Sequence, residues 1–194
     1  MLHLLRALSA VNTFILKIGR SAAWVALALM VLVILLQVIF RYIFNNALAW
    51  PDEAARFLML WMTGLIAPSA FRWGGFVAID MVPRALPRVP GLVLAIALLL
   101  LSFMVLLVGL QLGYAHTMGF AGNFNSSSLR IPLEWVGLEG FKIKLRYMYG
   151  SLFVGIILLV SVNIELIFRA LYGLVAPNAA LPPDDAPTEM MGAD

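Results

Sequence analysis

Charged residues divide this chain into four long apolar runs. The first extends from Ala22 to Phe40 without a charge. The second begins at Pro51 and is uncharged from Phe57 to Phe71. The third runs from Gly91 to His116, and the fourth from Tyr147 to Phe168, broken only by Glu165. A helix needs about 20 mostly apolar residues to cross a bilayer. The pattern therefore predicts four transmembrane helices, at about residues 22–42, 51–73, 91–116 and 147–168.

A different pattern precedes them. Leu4, Leu8, Val11, Ile15 and Ile18 recur at helical spacing, and Arg6, Ser9, Thr13, Lys17 and Arg20 form a second stripe. This predicts an amphipathic helix over residues 1–20, lying in the membrane interface. An N-terminal extension of the first span is the alternative. The expected fold class is all-α integral membrane: four transmembrane helices plus an N-terminal amphipathic interfacial helix. Residues 21–170 make the membrane domain, and residues 171–194, with their prolines and acids, form a disordered cytoplasmic tail.

The connections differ in character. The stretch 74–90 holds Pro83, Pro87 and Pro90, so it is a tight turn between spans. The longer connection, 117–146, opens with GFAGNFNSSS, which predicts irregular backbone. It continues with LRIPLEWVGLEGFKIKL, which mixes apolar and charged residues and is expected to lie on the outer surface.

Composition supports the membrane reading. The chain is 63% hydrophobic and only 12% charged, about half the charge of a soluble domain. It has no cysteine, which excludes disulfides, thiol catalysis and Cys-ligated metals. The net charge of +3 is spread along the chain, so no basic tract points to nucleic acid. Tryptophan favours the membrane interface. Trp24 and Trp73 fall on one side of a four-span zigzag, and Trp50 and Trp135 on the other, while Trp61 sits mid-span as a packing residue. The inner side would carry Arg6, Lys17, Arg20, Arg72, Arg84, Arg88 and Arg169. The outer side would carry Arg41, Arg130, Lys142, Lys144 and Arg146, a bias of seven to five. With three basic residues before the first span and one after it, both termini are expected in the cytoplasm.

Two polar groupings interrupt the apolar pattern. At the start of the second span, Pro51 suits the first helical turn, and Asp52 and Glu53 complement the helix dipole. Both acids lie within reach of Arg56. Gln37, Arg41 and Asn45 form a matching stripe at the end of the first span. The expectation is an outer cluster of Gln37, Arg41, Glu53 and Arg56 that clasps spans one and two. A charged path for an ion or substrate is the functional alternative. In span four, Ser161, Glu165 and Arg169 follow at i+4 steps, which reads as a structural pair snorkelling at the inner boundary, with a proton or sodium site as the alternative. On these readings Arg56→Ala weakens assembly or docking more than Arg169→Ala.

Other chemistry is sparse. Gly109 and Gly113 in span three form a small-xxx-small spacing that permits close helix approach. His116 has no second ligand at helical spacing. There is no HExxH, GxSxG or Walker loop, so neither an enzyme nor a nucleotide-driven motor is expected, and no cofactor. Secondary transporters place substrate at the midplane between repeats with broken helices. Four spans without a repeat offer little for such a site.

The stretch RYIFNNALAWPDEAARFLMLWMTGLIAPSAFRWGGFVAID resembles the signature region of the small membrane subunit of TRAP transporters, the tripartite ATP-independent periplasmic systems. The matching positions are Arg41 and Tyr42, then Trp50, Asp52, Glu53 and Arg56, then Trp61, Arg72, Gly74 and Asp80. IPLEW, Ile131 to Trp135, resembles the family's loop before span four. The chain departs at Phe76, where the family often has His, and at Asp52, where Glu is common. The resemblance implies a bacterial inner-membrane importer of organic acids, typically driven by sodium. A periplasmic protein captures substrate, a large elevator-type membrane subunit moves it, and the small subunit is a scaffold that also helps dock the binding protein. The implied partners are those two proteins and membrane lipid. The residues expected to serve structure or partner contact are Gln37, Arg41, Trp50, Asp52, Glu53, Arg56, Trp61, Arg72, Asp80, Glu165 and Arg169. A self-sufficient small channel or carrier, assembled through Gly109 and Gly113, is the competing reading. The small subunit of a tripartite tricarboxylate system is another.

Overall fold

A computed structural model describes residues 2–74, 86–131 and 141–175. Four helices in it are long and apolar enough to cross a membrane. We call them α1 (Leu2–Tyr42), α2 (Pro51–Arg72), α3 (Arg88–Met118) and α4 (Arg146–Val175). Between α3 and α4 lie a 3-10 turn (Phe120–Asn123) and two antiparallel strands, β1 (Asn125–Ile131) and β2 (Phe141–Lys144). The strands stand at one end of the helices, here the hairpin end. The N-terminus and the last turns of α2 and α4 share the opposite, terminal end.

α1 is one continuous helix of 41 residues, about 61 Å long. No break in the backbone sets off a separate interfacial helix at residue 20. Leu5, Ser9, Asn12, Leu16, Gly19, Ala23 and Ala26 are buried, at alternating steps of four and three. That spacing makes a straight seam along one side of a helix. The seam includes polar Ser9 and Asn12, while Val11, Phe14, Ile15 and Ile18 are exposed. The amphipathic pattern is therefore turned inside out relative to the interfacial expectation: part of its polar stripe faces the other helices. At the far end of α1, Asn45 adopts φ 50°, a left-handed conformation that asparagine tolerates, and the Asn46 N–H returns to the Phe40 carbonyl at 3.0 Å.

The helices form a row. α1 packs on α2, α2 on α4 and α4 on α3, with α1 also reaching α4. Small residues set the spacing. A Cβ built on Gly19 would lie 3.4 Å from the Leu65 carbonyl oxygen. α2 and α4 touch backbone to backbone, because a Cβ on Gly64 would lie 2.6 Å from the Ser151 carbonyl oxygen and one on Gly155 would lie 2.8 Å from that of Gly64. Pro68, inside α2, has no N–H to offer the Gly64 carbonyl. The proline and the contact glycine thus share one turn of α2.

Gly64→Ala is a test of this crossing. Alanine is the better helix former by roughly 1 kcal/mol, so propensity alone predicts a gain. The contact predicts a loss, since backbone atoms of α4 must move to admit the methyl group. A melting temperature lowered by several degrees in detergent is the expected result, and a raised one counts against direct backbone contact.

Gly109 and Gly113 are occupied within the chain. Their built Cβ atoms lie 3.3 Å from Ile156 and 3.2 Å from Phe153, both on α4. The connection expected to be irregular contains β1 instead. Asn125 pairs with Lys144, Arg130 with Lys142 and Ile131 with Phe141, with a register shift between the first two pairs. Residues 75–85 of the expected turn, with Asp80, residues 132–140 of the outer loop, with Trp135, and the tail beyond Val175 lie outside the described residues.

Candidate functional site

The buried polar chemistry gathers at the terminal end, where three helices meet. α1 brings Ser9, Asn12 and Thr13 from its seam. α2 brings Arg72, its last residue, where a cation favours the negative end of the helix dipole. α4 brings Ser161, Glu165 and Arg169, one helical turn apart.

Glu165 is the centre. Its Oε1 accepts from Arg72 Nη2 at 2.8 Å and from Arg169 Nε at 3.0 Å, and its Oε2 accepts from Asn12 Nδ2 at 2.7 Å. Asn12 is held in turn, because Ser161 Oγ donates to its Oδ1 at 2.7 Å. Arg72 also donates from Nη1 to Thr13 Oγ1 at 2.7 Å and from Nη2 to Ser9 Oγ at 2.9 Å. Arg169 Nη2 donates to the same Ser9 hydroxyl at 3.0 Å. The side chains of Arg72, Glu165 and Arg169 are 1%, 0% and 14% exposed, so this is an interior network. About two turns nearer the middle of α1, the Arg20 guanidinium lies 4.8 Å from the centre of the Trp73 ring, a cation–π contact, and donates to Ser69 Oγ at 3.4 Å.

This arrangement binds helices. Two guanidinium groups flank one carboxylate, so the cluster carries a formal charge of +1. A cation approaching Glu165 would meet both of them. A proton relay needs a next acceptor, and here each carboxylate oxygen is already met by N–H donors. Among the described residues, no group of three or more His, Asp or Glu side chains could hold a metal ion. Glu165 and Arg169 were expected to snorkel as a local pair, whereas both are drawn inward by Arg72 and α1.

The hairpin end differs from the expected clasp. Glu53 Oε2 accepts from the backbone N–H groups of Ser128 at 2.6 Å and Leu129 at 2.9 Å. Leu129 N–H is shared with Ser126 Oγ at 3.0 Å. The first turn of α2 thereby holds β1. Among the described residues, no hydrogen bond or ion pair joins Gln37, Arg41 or Arg56 to Glu53. Arg41 is exposed, with its guanidinium 6.0 Å from the centre of the Tyr42 ring, and Asp52 and Arg56 are exposed as well. The physical reason is competition. Two β1 amides within the register shift form stronger, better aligned contacts with a carboxylate than a flexible exposed arginine does. Trp50 precedes α2 and is 38% exposed. Trp61 does pack: its Nε1 donates to the Tyr147 carbonyl at 3.1 Å, tying α2 to the start of α4.

Sequence reasoning missed Asn12 and the partnership of Arg72 with Glu165. The i+4 run Ser161, Glu165, Arg169 was visible. Ser9 and Thr13 stood in the polar stripe of α1 but were assigned to water.

Four apolar helices and an ionic cluster enclosed among them define a multi-pass membrane protein. The model of the DctQ component of tripartite ATP-independent periplasmic transporters matches residues 30–173. The chain belongs to that family and is the small membrane component of such a transporter. No curated protein matches it. The match starts at Met30, so Ser9, Asn12 and Thr13 lie outside it, whereas Arg72, Glu165 and Arg169 lie within.

Proposed function

We propose that this chain is a fixed scaffold. It supports the large elevator-type membrane subunit of an importer of organic acids, coupled to sodium, and helps dock the periplasmic binding protein. The observation that carries this reading is the use of Glu165. The one carboxylate buried in the helix row is spent on Arg72, Arg169 and Asn12, so the chain's interior chemistry goes into its own shape. The helices also leave most of their apolar surface exposed, which suits a part that extends another protein. Placement in the bacterial inner membrane with both termini in the cytoplasm accords with Arg6, Lys17 and Arg20 in the first half of α1. The hairpin end would then face the periplasm, where Glu53 holds β1 in place for the binding protein.

The competing channel or carrier needs self-association through Gly109 and Gly113, and α4 already fills that face. The test is uptake in sealed vesicles under a sodium gradient. The chain alone is expected to give none, and the chain with its large subunit and binding protein is expected to give uptake. Transport by the isolated chain would overturn the scaffold.

A further inference from the structure

Among the described residues, α3 is an end member of the helix row, packed on α4 and on the 3-10 turn that follows it. Between Val89 and Gly113 its only polar side chains are Ser102 and Gln111. Ser102 is half-buried, but Gln111 is exposed and makes no hydrogen bond among the described residues. Its neighbours one and two turns away on the open face are Met104, Leu107, Val108, Tyr114, Ala115 and Met118, all exposed.

A carboxamide in that position is out of place against lipid tails, which offer neither donor nor acceptor. Hydroxyls escape the problem by bonding to their own helix, as Thr63 Oγ1 does with the Met59 carbonyl at 2.9 Å. The Gln111 amide makes no such bond. Gln111 stands seven residues before the end of α3 at Met118, about 10 Å below it. Helical side chains lean towards the N-terminus of their helix, and for Gln111 that direction leads deeper into the apolar layer. Two other amides differ in place: Gln37 is half-buried, four residues before Arg41 at the end of α1, and Asn163 is buried within the chain with neither amide atom hydrogen-bonded among the described residues.

We propose that the open face of α3 around Gln111 is a seam with a transmembrane helix of the large membrane subunit. In this seam the Gln111 carboxamide hydrogen-bonds across the interface. The proposal rests on the scaffold reading, which supplies the membrane partner. A second copy of this chain fits less well. The small-residue face that allows close pairing is taken by α4, and what remains exposed is mostly leucine and valine, with Met104 and Met118 beside Gln111.

The test uses the assembled membrane complex. A photo-crosslinking amino acid at Met104 or Leu107 is expected to join the large subunit, and one at Ile15 of α1 serves as a comparison. Gln111→Leu is expected to lower the yield of co-purified large subunit roughly threefold, the size of an average hydrogen bond between membrane helices. Gln111→Asn should recover part of it. Crosslinks from α3 only to lipid or to a second copy would overturn the seam. So would a Gln111→Leu complex recovered at or above native yield, because removing an amide from a lipid-facing site should improve the protein. If no large subunit accompanies the native chain, the scaffold reading falls and the seam falls with it. If it does accompany the native chain but α3 crosslinks elsewhere, only the seam falls.

Discussion

Glu165→Leu is expected to be the most damaging single substitution in this chain. It leaves Arg72, 1% exposed, and Arg169, 14% exposed, without their shared carboxylate. Removing one partner from a buried ion pair costs about 3–5 kcal/mol. A typical domain is stable by only about 5–15 kcal/mol. The purified variant should therefore melt far below the native chain in detergent or lose its monodisperse elution. The three charged members should rank Glu165, Arg72, Arg169 in severity. Loss of Arg169 leaves the neutral pair of Arg72 and Glu165 intact, whereas loss of Arg72 removes the link to α2 and its bonds to Ser9 and Thr13. The double variant Glu165→Leu with Arg72→Met should recover part of the loss, since apolar replacement of a whole buried pair is often close to neutral. Arg169 can then turn its charge towards water along its flexible stem. If the double variant is as unstable as the sum of both singles, the pairing account is wrong. Arg56→Ala, at an exposed site, should stay within about 0.5 kcal/mol of native stability. For folding, Arg169 should therefore matter more than Arg56, whereas the expected order for assembly and docking is read from complex yield.

The second large effect is local. Glu53→Ala removes the acceptor for the Ser128 and Leu129 amides. Hydrogen bonds to a charged group contribute about 1.5–3 kcal/mol each. Losing both should open the β1 segment by roughly 3 kcal/mol, or about a hundredfold faster hydrogen exchange across residues 125–131. The helix row should melt as before, because the hairpin stands at its end. Asp52→Asn is the matched control, since Asp52 is exposed and should leave exchange unchanged. Equal protection of β1 in the native and Glu53→Ala chains would remove Glu53 from this role. If the binding protein docks at this end, Glu53→Ala should also weaken its capture while the large subunit still co-purifies.

The two acids beside Pro51 show where sequence reasoning stops. Asp52 and Glu53 are adjacent, both suit the first turn of α2, and both lie within helical reach of Arg56. Nothing local separates them. Only the position of β1, more than seventy residues further along the chain, selects Glu53. The same holds at the terminal end. The spacing of Ser161, Glu165 and Arg169 marks one face of α4, but a pattern of three polar residues reads alike whether it meets water or another helix. Arg72 looked like a boundary residue because it ends an apolar run. Its partner lies 93 positions away.

The sequence by itself determined that this is a membrane protein of four helices. Long uncharged runs have no other stable arrangement in lipid, where every backbone group must be satisfied within its own segment. It also carried the family resemblance, through Trp50 to Gly75 and Arg41. The tertiary structure decided which side of α1 faces inward, which acid holds the hairpin and which arginine Glu165 binds. Those choices depend on contacts between distant segments. An apolar period shows that a helix has faces, but the neighbours decide what each face meets.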